Sequence, residues 1–242
     1  MNNQICRIVV GTSSIEFESV EAQVNSNLQT LIESDKKFRV IQPKNGKTIT
    51  WGLKNTDTEL SYSQMKKIVQ DVCFAFSSEF KLDFDFTTDY KNADVKISFA
   101  AEDEDSNLTS NTIAYMGYPL SGSQFYGICV INKKWIFTHD GRSRTGYELT
   151  VLGIQVQFLD GNYATLYLVK ILIHEFGHGV LGLQHDTEPG SIMSSNEGAM
   201  SDKWSNRDLT RGYAKVPKNT KENPLKTRLA RLRAWFLIGG RR

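Results

Sequence analysis

The sequence predicts an α+β domain, α/β-like in its first half, built on a twisted, mixed β-sheet with one backing helix. A capped amphipathic helix begins near Ser61 and lies between two segments, 48–53 and 82–86, that are rich in strand formers. Strand, helix and strand in this order predict a βαβ unit, for which a right-handed crossover is the rule. A second long helix is expected over residues 163–181. The rest of the C-terminal half reads as mostly irregular.

Composition supports a single domain with short appendages. The chain has 242 residues, of which 40% are hydrophobic and 11% aromatic, so it can bury a sizeable core. Three widely spaced cysteines, Cys6, Cys73 and Cys129, form neither a disulfide framework nor a metal-binding pair. We see no secretory signal at the start and no apolar run of about 18 residues that would cross a membrane.

The helix that begins near Ser61 is the clearest element. Ser61 and Gln64 have the spacing of a capping box. Apolar residues then recur at helical spacing, so this face should pack on the sheet. They are Met65, Ile68, Val69, Val72, Cys73, Phe76 and Phe80.

Shorter patterns place the remaining elements. An amphipathic helix is expected around residues 17–32, ahead of a loop at 42–47. The acidic segment 101–107 predicts a loop, and a last helix is expected over 202–214. Strands are predicted from alternation or strand-forming composition at 82–86, 94–99, 112–118 and 127–131.

Three of the four histidines lie within residues 171–193. His174 and His178 are four positions apart on the predicted helix, so both imidazoles leave the same face and can reach one metal ion. Glu175 points about 100° away from His174, as 3.6 residues per turn require. It can therefore contact a water on that metal without being a ligand, which is the arrangement that zinc-dependent hydrolysis uses.

Two glycines near these histidines are informative. Gly177 lies inside the helix, where glycine costs about 1 kcal/mol relative to alanine, so a close neighbour should require its missing side chain. Gly182 follows the helix as a left-handed stop that can turn the chain back and carry His185 to the ion. Met193 lies eight residues beyond His185.

At these residues the segment resembles the metzincin metallopeptidases, and among them the matrixins. The shared features are HEFGH, a glycine stop, His-Asp and a turn of the form Ser-Ile-Met. The resemblance implies a metzincin-like fold with an active-site helix and an irregular C-terminal half. It also implies that His174, His178 and His185 hold a catalytic Zn²⁺, that Glu175 is the general base, and that Met193 forms the Met-turn beneath the site.

The spacing departs from the family pattern HExxHxxGxxH. In this chain Gly182 is four and His185 seven residues beyond His178, so Gln184 occupies the position of the third histidine. An amide is a poor zinc ligand beside imidazole, and we therefore expect one extra residue within 179–184 and His185 restored to the ion. Asp186 is the fallback ligand.

The resemblance also bears on ions and substrate. Residues 127–137 lack the Asp and His ligands that matrixins often use for structural ions, so we predict one zinc; calcium at residues 101–107 is left open. An extended peptide should lie along a sheet edge. By resemblance the edge strand is Ile113, Ala114, Tyr115, Met116 and Gly117.

Two other interpretations of the site are kept. Asn196 to Asp202 resembles the acidic helix of thermolysin-like peptidases, in which Glu197 would be the third ligand. Alternatively, the chain is an inactive metal-bearing scaffold whose tail is its functional part. Residues 215–242 carry nine Lys or Arg and one acid, and within 225–242 the apolar and basic residues form opposite helical faces, suited to a membrane surface or an acidic partner.

We therefore expect a zinc-dependent metalloendopeptidase with three parts. Residues 1–45 are an N-terminal segment of unknown role, 46–214 the catalytic domain, and 215–242 the basic amphipathic tail. The expected partner is a protein or peptide substrate, not nucleic acid, and the expected state is a monomer. Cleavage preference and compartment are left open, an extracellular location being implied by the resemblance alone.

Overall fold

A computed structural model describes the greater part of the chain, namely residues 5–9, 21–54, 61–109, 112–133, 147–151, 154–158, 163–188, 190–194, 201 and 204–216. The strands are β1 (Ile5–Val9), β2 (Ile49–Leu53), β3 (Phe84–Phe86), β4 (Val95–Ala100), β5 (Thr112–Gly117), β6 (Ile128–Asn132), β7 (Tyr147–Val151) and β8 (Ile154–Phe158). The helices are α1 (Glu21–Asp35), α2 (Tyr62–Phe80), α3 (Tyr163–Gly179) and α4 (Asn206–Lys215).

The main sheet is mixed, as predicted. Its six strands follow the order β1-β5-β6-β4-β2-β3. β5 is antiparallel to both β1 and β6, whereas the other neighbours are parallel. β2 and β3 are parallel neighbours joined through α2, which confirms the predicted βαβ order. β7 and β8 form a separate antiparallel pair that was not expected, although the residues of each strand alternate in polarity.

Helix α2 begins as its sequence requires. The Ser61 side chain accepts from the Gln64 backbone N–H, and the Gln64 side chain accepts from the Ser61 backbone N–H. All seven apolar residues predicted to face the sheet are buried. The ring of Phe76 packs edge-on against Phe176 of α3, with centroids 5.6 Å apart. The backing helix and the histidine-bearing helix therefore share one hydrophobic core.

The N-terminal segment contributes to this fold. β1 adds the outermost strand beside β5, and α1 confirms the helix expected around residues 17–32, ending at Asp35. Asp35 forms a buried ion pair with Arg211 of α4. Residues 21–45 thus pack on the domain that follows, while the division of the chain at residue 45 stays a prediction.

The expected edge strand is wrong in one respect. β5 carries Ile113 to Gly117 as predicted, but β1 pairs with it, from Ile5 opposite Gly117 to Val9 opposite Thr112. Residues 112–117 are all buried. The edge at this side of the described sheet therefore belongs to β1.

The remaining predictions concern the last helix, Glu197, the tail and membrane spans. The last helix begins at Asn206, four residues later than expected, because Ser205 and Asp208 form its capping box. Glu197 and the basic tail beyond Val216 lie outside the described residues. Within the part of the chain that the structure covers, no helix has the length and apolar character to cross a bilayer.

Candidate metal centre

His174 and His178 lie one turn apart on α3, and both are fully buried. Each ring is oriented by a backbone carbonyl from the irregular segment that follows the helix. His174 Nδ1 lies 2.7 Å from the Ile192 carbonyl oxygen, and His178 Nδ1 lies 2.5 Å from that of Leu183. Because a carbonyl only accepts hydrogen bonds, both Nδ1 atoms carry the proton, and the two Nε2 atoms are left with lone pairs.

Those two lone pairs face each other. His174 Nε2 and His178 Nε2 are 2.7 Å apart, and with both Nδ1 atoms protonated neither can donate to the other. Burial lowers the pKa of His174 to about 3 and that of His178 well below its usual value, so the rings are neutral at physiological pH. Two buried imidazole lone pairs directed at one point fit a shared cation.

The extra residue is absorbed at the end of α3. In the common Schellman ending, the N–H after the glycine bonds to a carbonyl five residues back and the glycine N–H to one three back. Here Leu183 N–H donates to the Gly177 carbonyl, six residues back, and Gly182 N–H to the His178 carbonyl, four back. Both bonds span one residue more. Gly182 has φ +70°, which confirms the predicted left-handed stop.

This widened turn brings His185 back to the other two histidines. Its ring centroid lies 5.3 Å from that of His174 and 4.8 Å from that of His178. One nitrogen from each of the three rings lies within 4.8 Å of the others. In the part of the chain that the structure describes, no other group of three or more His, Cys, Asp or Glu could hold a metal ion. The geometry thus supports the expected ligand set.

Gln184 and Asp186, which flank His185, are directed elsewhere. The Gln184 amide nitrogen contacts the Ser34 hydroxyl at 2.5 Å. The Asp186 carboxylate is buried and binds Arg207 and Arg211, with N···O distances of 2.8 and 3.3 Å. The fallback ligand Asp186 is therefore occupied by cations of the protein itself.

Met193 lies in a tight turn beneath α3. Asp186 N–H donates to the Met193 carbonyl, and Asp208 of α4 accepts from the Ser191 hydroxyl at 2.6 Å and the Ile192 N–H at 3.1 Å. A Cβ at Gly177 would lie 2.4 Å from Met193 Sδ, so the close neighbour expected at this glycine is the Met193 side chain. The role of Met193 as the Met-turn stays a proposal.

Glu175, the acidic residue of the HExxH pattern, follows His174 on α3. It is fully buried, and neither carboxylate oxygen has a hydrogen-bond partner among the described residues. Burial raises the pKa of Glu175 well above its usual range. A buried carboxyl group without a donor is costly, and a cation with its water nearby would supply what the chain does not. The residues present therefore fit a bound metal ion.

Aromatic side chains cover the His178 side of the centre. Tyr118, directly after β5, packs edge-on against His178 with ring centroids 5.4 Å apart. Phe38, from the segment after α1, stacks on Tyr118 at 4.1 Å. Phe38 of the N-terminal segment thus packs on Tyr118, which itself contacts His178.

The acidic loop at residues 101–107 already has protein partners. The Asp105 carboxylate accepts from the Tyr115 hydroxyl and from Asn107, and Glu104 pairs with Lys133. No carboxylate cluster suited to an ion is found there in the described residues. Calcium at this loop has no support from these contacts.

Sequence reasoning missed several residues that hold the centre together. The carbonyls of Leu183 and Ile192 carry no side-chain signal, and Asp35 and Arg211 are distant in sequence from the histidines. Asp208 had one usable signal, because Ser205 and Asp208 have capping-box spacing. None of these residues belongs to the HExxH pattern.

Comparison with known proteins identifies the family. No curated protein matches the chain. The family model described as Matrixin matches residues 43–210, more than two thirds of the chain, and that span includes the three histidines, Glu175 and Met193. The chain therefore belongs to the matrixin family of metzincin zinc metalloproteases.

Proposed function

We propose that the protein is a zinc-dependent metalloendopeptidase. The observation that carries the proposal is the convergence of three imidazole rings within a matrixin domain, next in sequence to Glu175, whose buried carboxyl group has no hydrogen-bond partner among the described residues. His174, His178 and His185 would hold the ion. Three nitrogen ligands leave a coordination position for water or substrate, as in catalytic rather than structural zinc sites.

The residues divide the chemistry between them. Zinc, when bound, supplies a Lewis acid that acidifies water and polarises a peptide carbonyl. Glu175 accepts the proton of the attacking water and delivers it to the amine leaving group. The Ile192 and Leu183 carbonyls fix the tautomers of His174 and His178, so that both Nε2 lone pairs stay available.

Substrate would approach beside β5 in an extended conformation. A peptide added to a strand edge is bound through main-chain hydrogen bonds, which do not select the sequence that is cleaved. Because β1 pairs along β5, a peptide that uses Ile113 to Gly117 has to replace β1 first.

The proposal is tested with wild-type protein and Glu175→Gln. Gln has nearly the same shape and leaves the three histidines in place. We expect Glu175→Gln to keep one zinc per chain while kcat/KM on a quenched peptide library falls by about 10²–10⁴-fold. The measurements are metal content and hydrolysis on the same samples, before and after chelation and zinc return. A variant that binds zinc and cleaves at the wild-type rate would refute the mechanism.

Two alternatives have separate signatures. A thermolysin-like site would lose zinc in Glu197→Gln and keep it in His185→Ala. An inactive scaffold would bind zinc without cleaving any peptide, and its tail would bind anionic vesicles in a salt-dependent way that truncation after Val216 abolishes. The proximity of His185 to His174 and His178 favours the three-histidine site.

A further inference from the structure

Residue 184 is held on three sides by groups that are remote from it in sequence. Its backbone N–H donates to Asp35 Oδ1 at 2.8 Å, and its carbonyl accepts from Arg211 Nη2 at 2.6 Å. Its side-chain amide binds the hydroxyl of Ser34. Gln184 occupies the position where the shorter family spacing would put the third histidine. These contacts turn it toward α1.

Arg211 and Asp35 form the centre of this arrangement. The guanidinium of Arg211 binds both carboxylate oxygens of Asp35, with N···O distances of 2.8 and 3.0 Å. It also contacts Asp186 at 3.3 Å. All three side chains are almost completely buried. One ion-pair network therefore binds both Gln184 and Asp186, the two neighbours of His185 in sequence.

We propose that Arg211, held by Asp35, is the positioning residue for His185. The added residue lengthens the segment between His178 and the third ligand, and the network fixes that longer segment in the one arrangement that directs His185 at the other two rings. Arg211 thus affects zinc binding through the position of His185, and it does not touch the substrate. The inference rests on the proposed metal site.

Asp35 and Arg211 lie on either side of residues 43–210, the span that matches the family model. The N-terminal segment therefore supplies one half of the network and α4 the other half. Loss of the Asp35 contact from α1 should therefore weaken zinc binding.

The test compares Asp35→Asn with Glu33→Gln in the full chain. Glu33 is an exposed acid on the same helix, and its side chain bonds to Gln29 and Lys36, which are three or four residues away. The zinc dissociation constant is measured by chelator competition on samples that are folded by circular dichroism. We expect Asp35→Asn to weaken zinc binding by about 10–100-fold, the range for groups that orient metal ligands. Glu33→Gln should leave it within about twofold.

A double-mutant cycle separates positioning from general stabilisation. In a His185→Ala background the network has no third ligand left to position, so Asp35→Asn should no longer change the zinc dissociation constant. An equal loss in both backgrounds would overturn the proposal, as would an unchanged constant in folded Asp35→Asn. Arg211→Lys, which keeps the charge but lacks the forked pair of donors, should show an intermediate loss.

A milder pair of variants applies if Asp35→Asn does not fold. Ser34→Ala and Gln184→Ala each delete one partner of the same side-chain bond, so both should weaken zinc binding by a similar few-fold factor, and the double variant should be no worse than either. Unchanged binding in both would overturn the proposal. Wild type that binds no zinc would instead refute the metal site itself, and zinc binding without peptide cleavage would refute only the enzymatic function.

Discussion

The two halves of the metal centre are built in different ways. His174 and His178 come from consecutive turns of a regular helix, where backbone geometry alone puts both rings on one face. His185 comes from an irregular segment and is placed by a widened helix ending and a buried ion-pair network.

The halves nevertheless depend on each other. The helical histidines receive their orientation from the carbonyls of Leu183 and Ile192, both in the irregular half. Conversely, Met193 of the irregular half packs against Gly177 of the helix. A regular element can thus supply ligand spacing, but the tautomer of each ligand is fixed from outside it.

The largest effect on zinc binding should come from removing a single ligand, either from the helical half or from the irregular half. We expect His174→Ala and His185→Ala each to weaken zinc binding by more than about 100-fold, beyond the cost of changing a residue that only orients a ligand. Metal content after dialysis measures both.

The fourth histidine provides the control for this pair. His139→Ala should retain zinc at the wild-type level. Full retention by His185→Ala would contradict the comparison, because the irregular half would then contribute no ligand.

An intermediate effect is expected at the junction of the two halves. Alanine at Gly182 would carry a left-handed φ and place its Cβ 2.7 Å from Phe38 Cβ and 2.9 Å from the Arg39 carbonyl. The left-handed conformation costs about 1–2 kcal/mol and the crowding about 1–3 kcal/mol more. Urea unfolding of the metal-free protein measures the sum.

Gly46 is the matched control, because its φ is +72° and a Cβ there would meet nothing within 4 Å. Gly46→Ala should show only the conformational cost. Equal losses of unfolding free energy at Gly182 and Gly46 would show that segment 38–39 does not brace the turn. Gly182→Ala should also weaken zinc binding, whereas Gly46→Ala should not.

The smallest effect is expected outside both halves, at the sheet edge. Deleting residues 1–9 removes β1 and frees β5. If peptides bind there as proposed, KM should fall by up to about tenfold at unchanged kcat, because β1 no longer competes for the edge. Deletion of residues 1–4, which keeps β1, is the control in the same assay. An unchanged KM after the longer deletion would place the substrate elsewhere.

Local sequence determined several of the regular elements. The capping box at Ser61 and its apolar stripe specify α2, because a helix start and a buried face are both properties of neighbours in sequence. The same holds for the pair His174 and His178 and for the stop at Gly182. β7 and β8 were missed although the alternation was present, and β1 was missed because its partner strand lies more than 100 residues away.

Only the tertiary structure decided how the third ligand is held and what covers the neighbouring strand. The added residue before His185 was visible in the sequence, but its accommodation depends on Asp35 and Arg211, which are 176 positions apart. A buried ion pair between such distant residues leaves no periodic pattern in either segment. Hydrogen bonds within a turn follow from local spacing, whereas contacts between remote segments follow from how the whole chain packs.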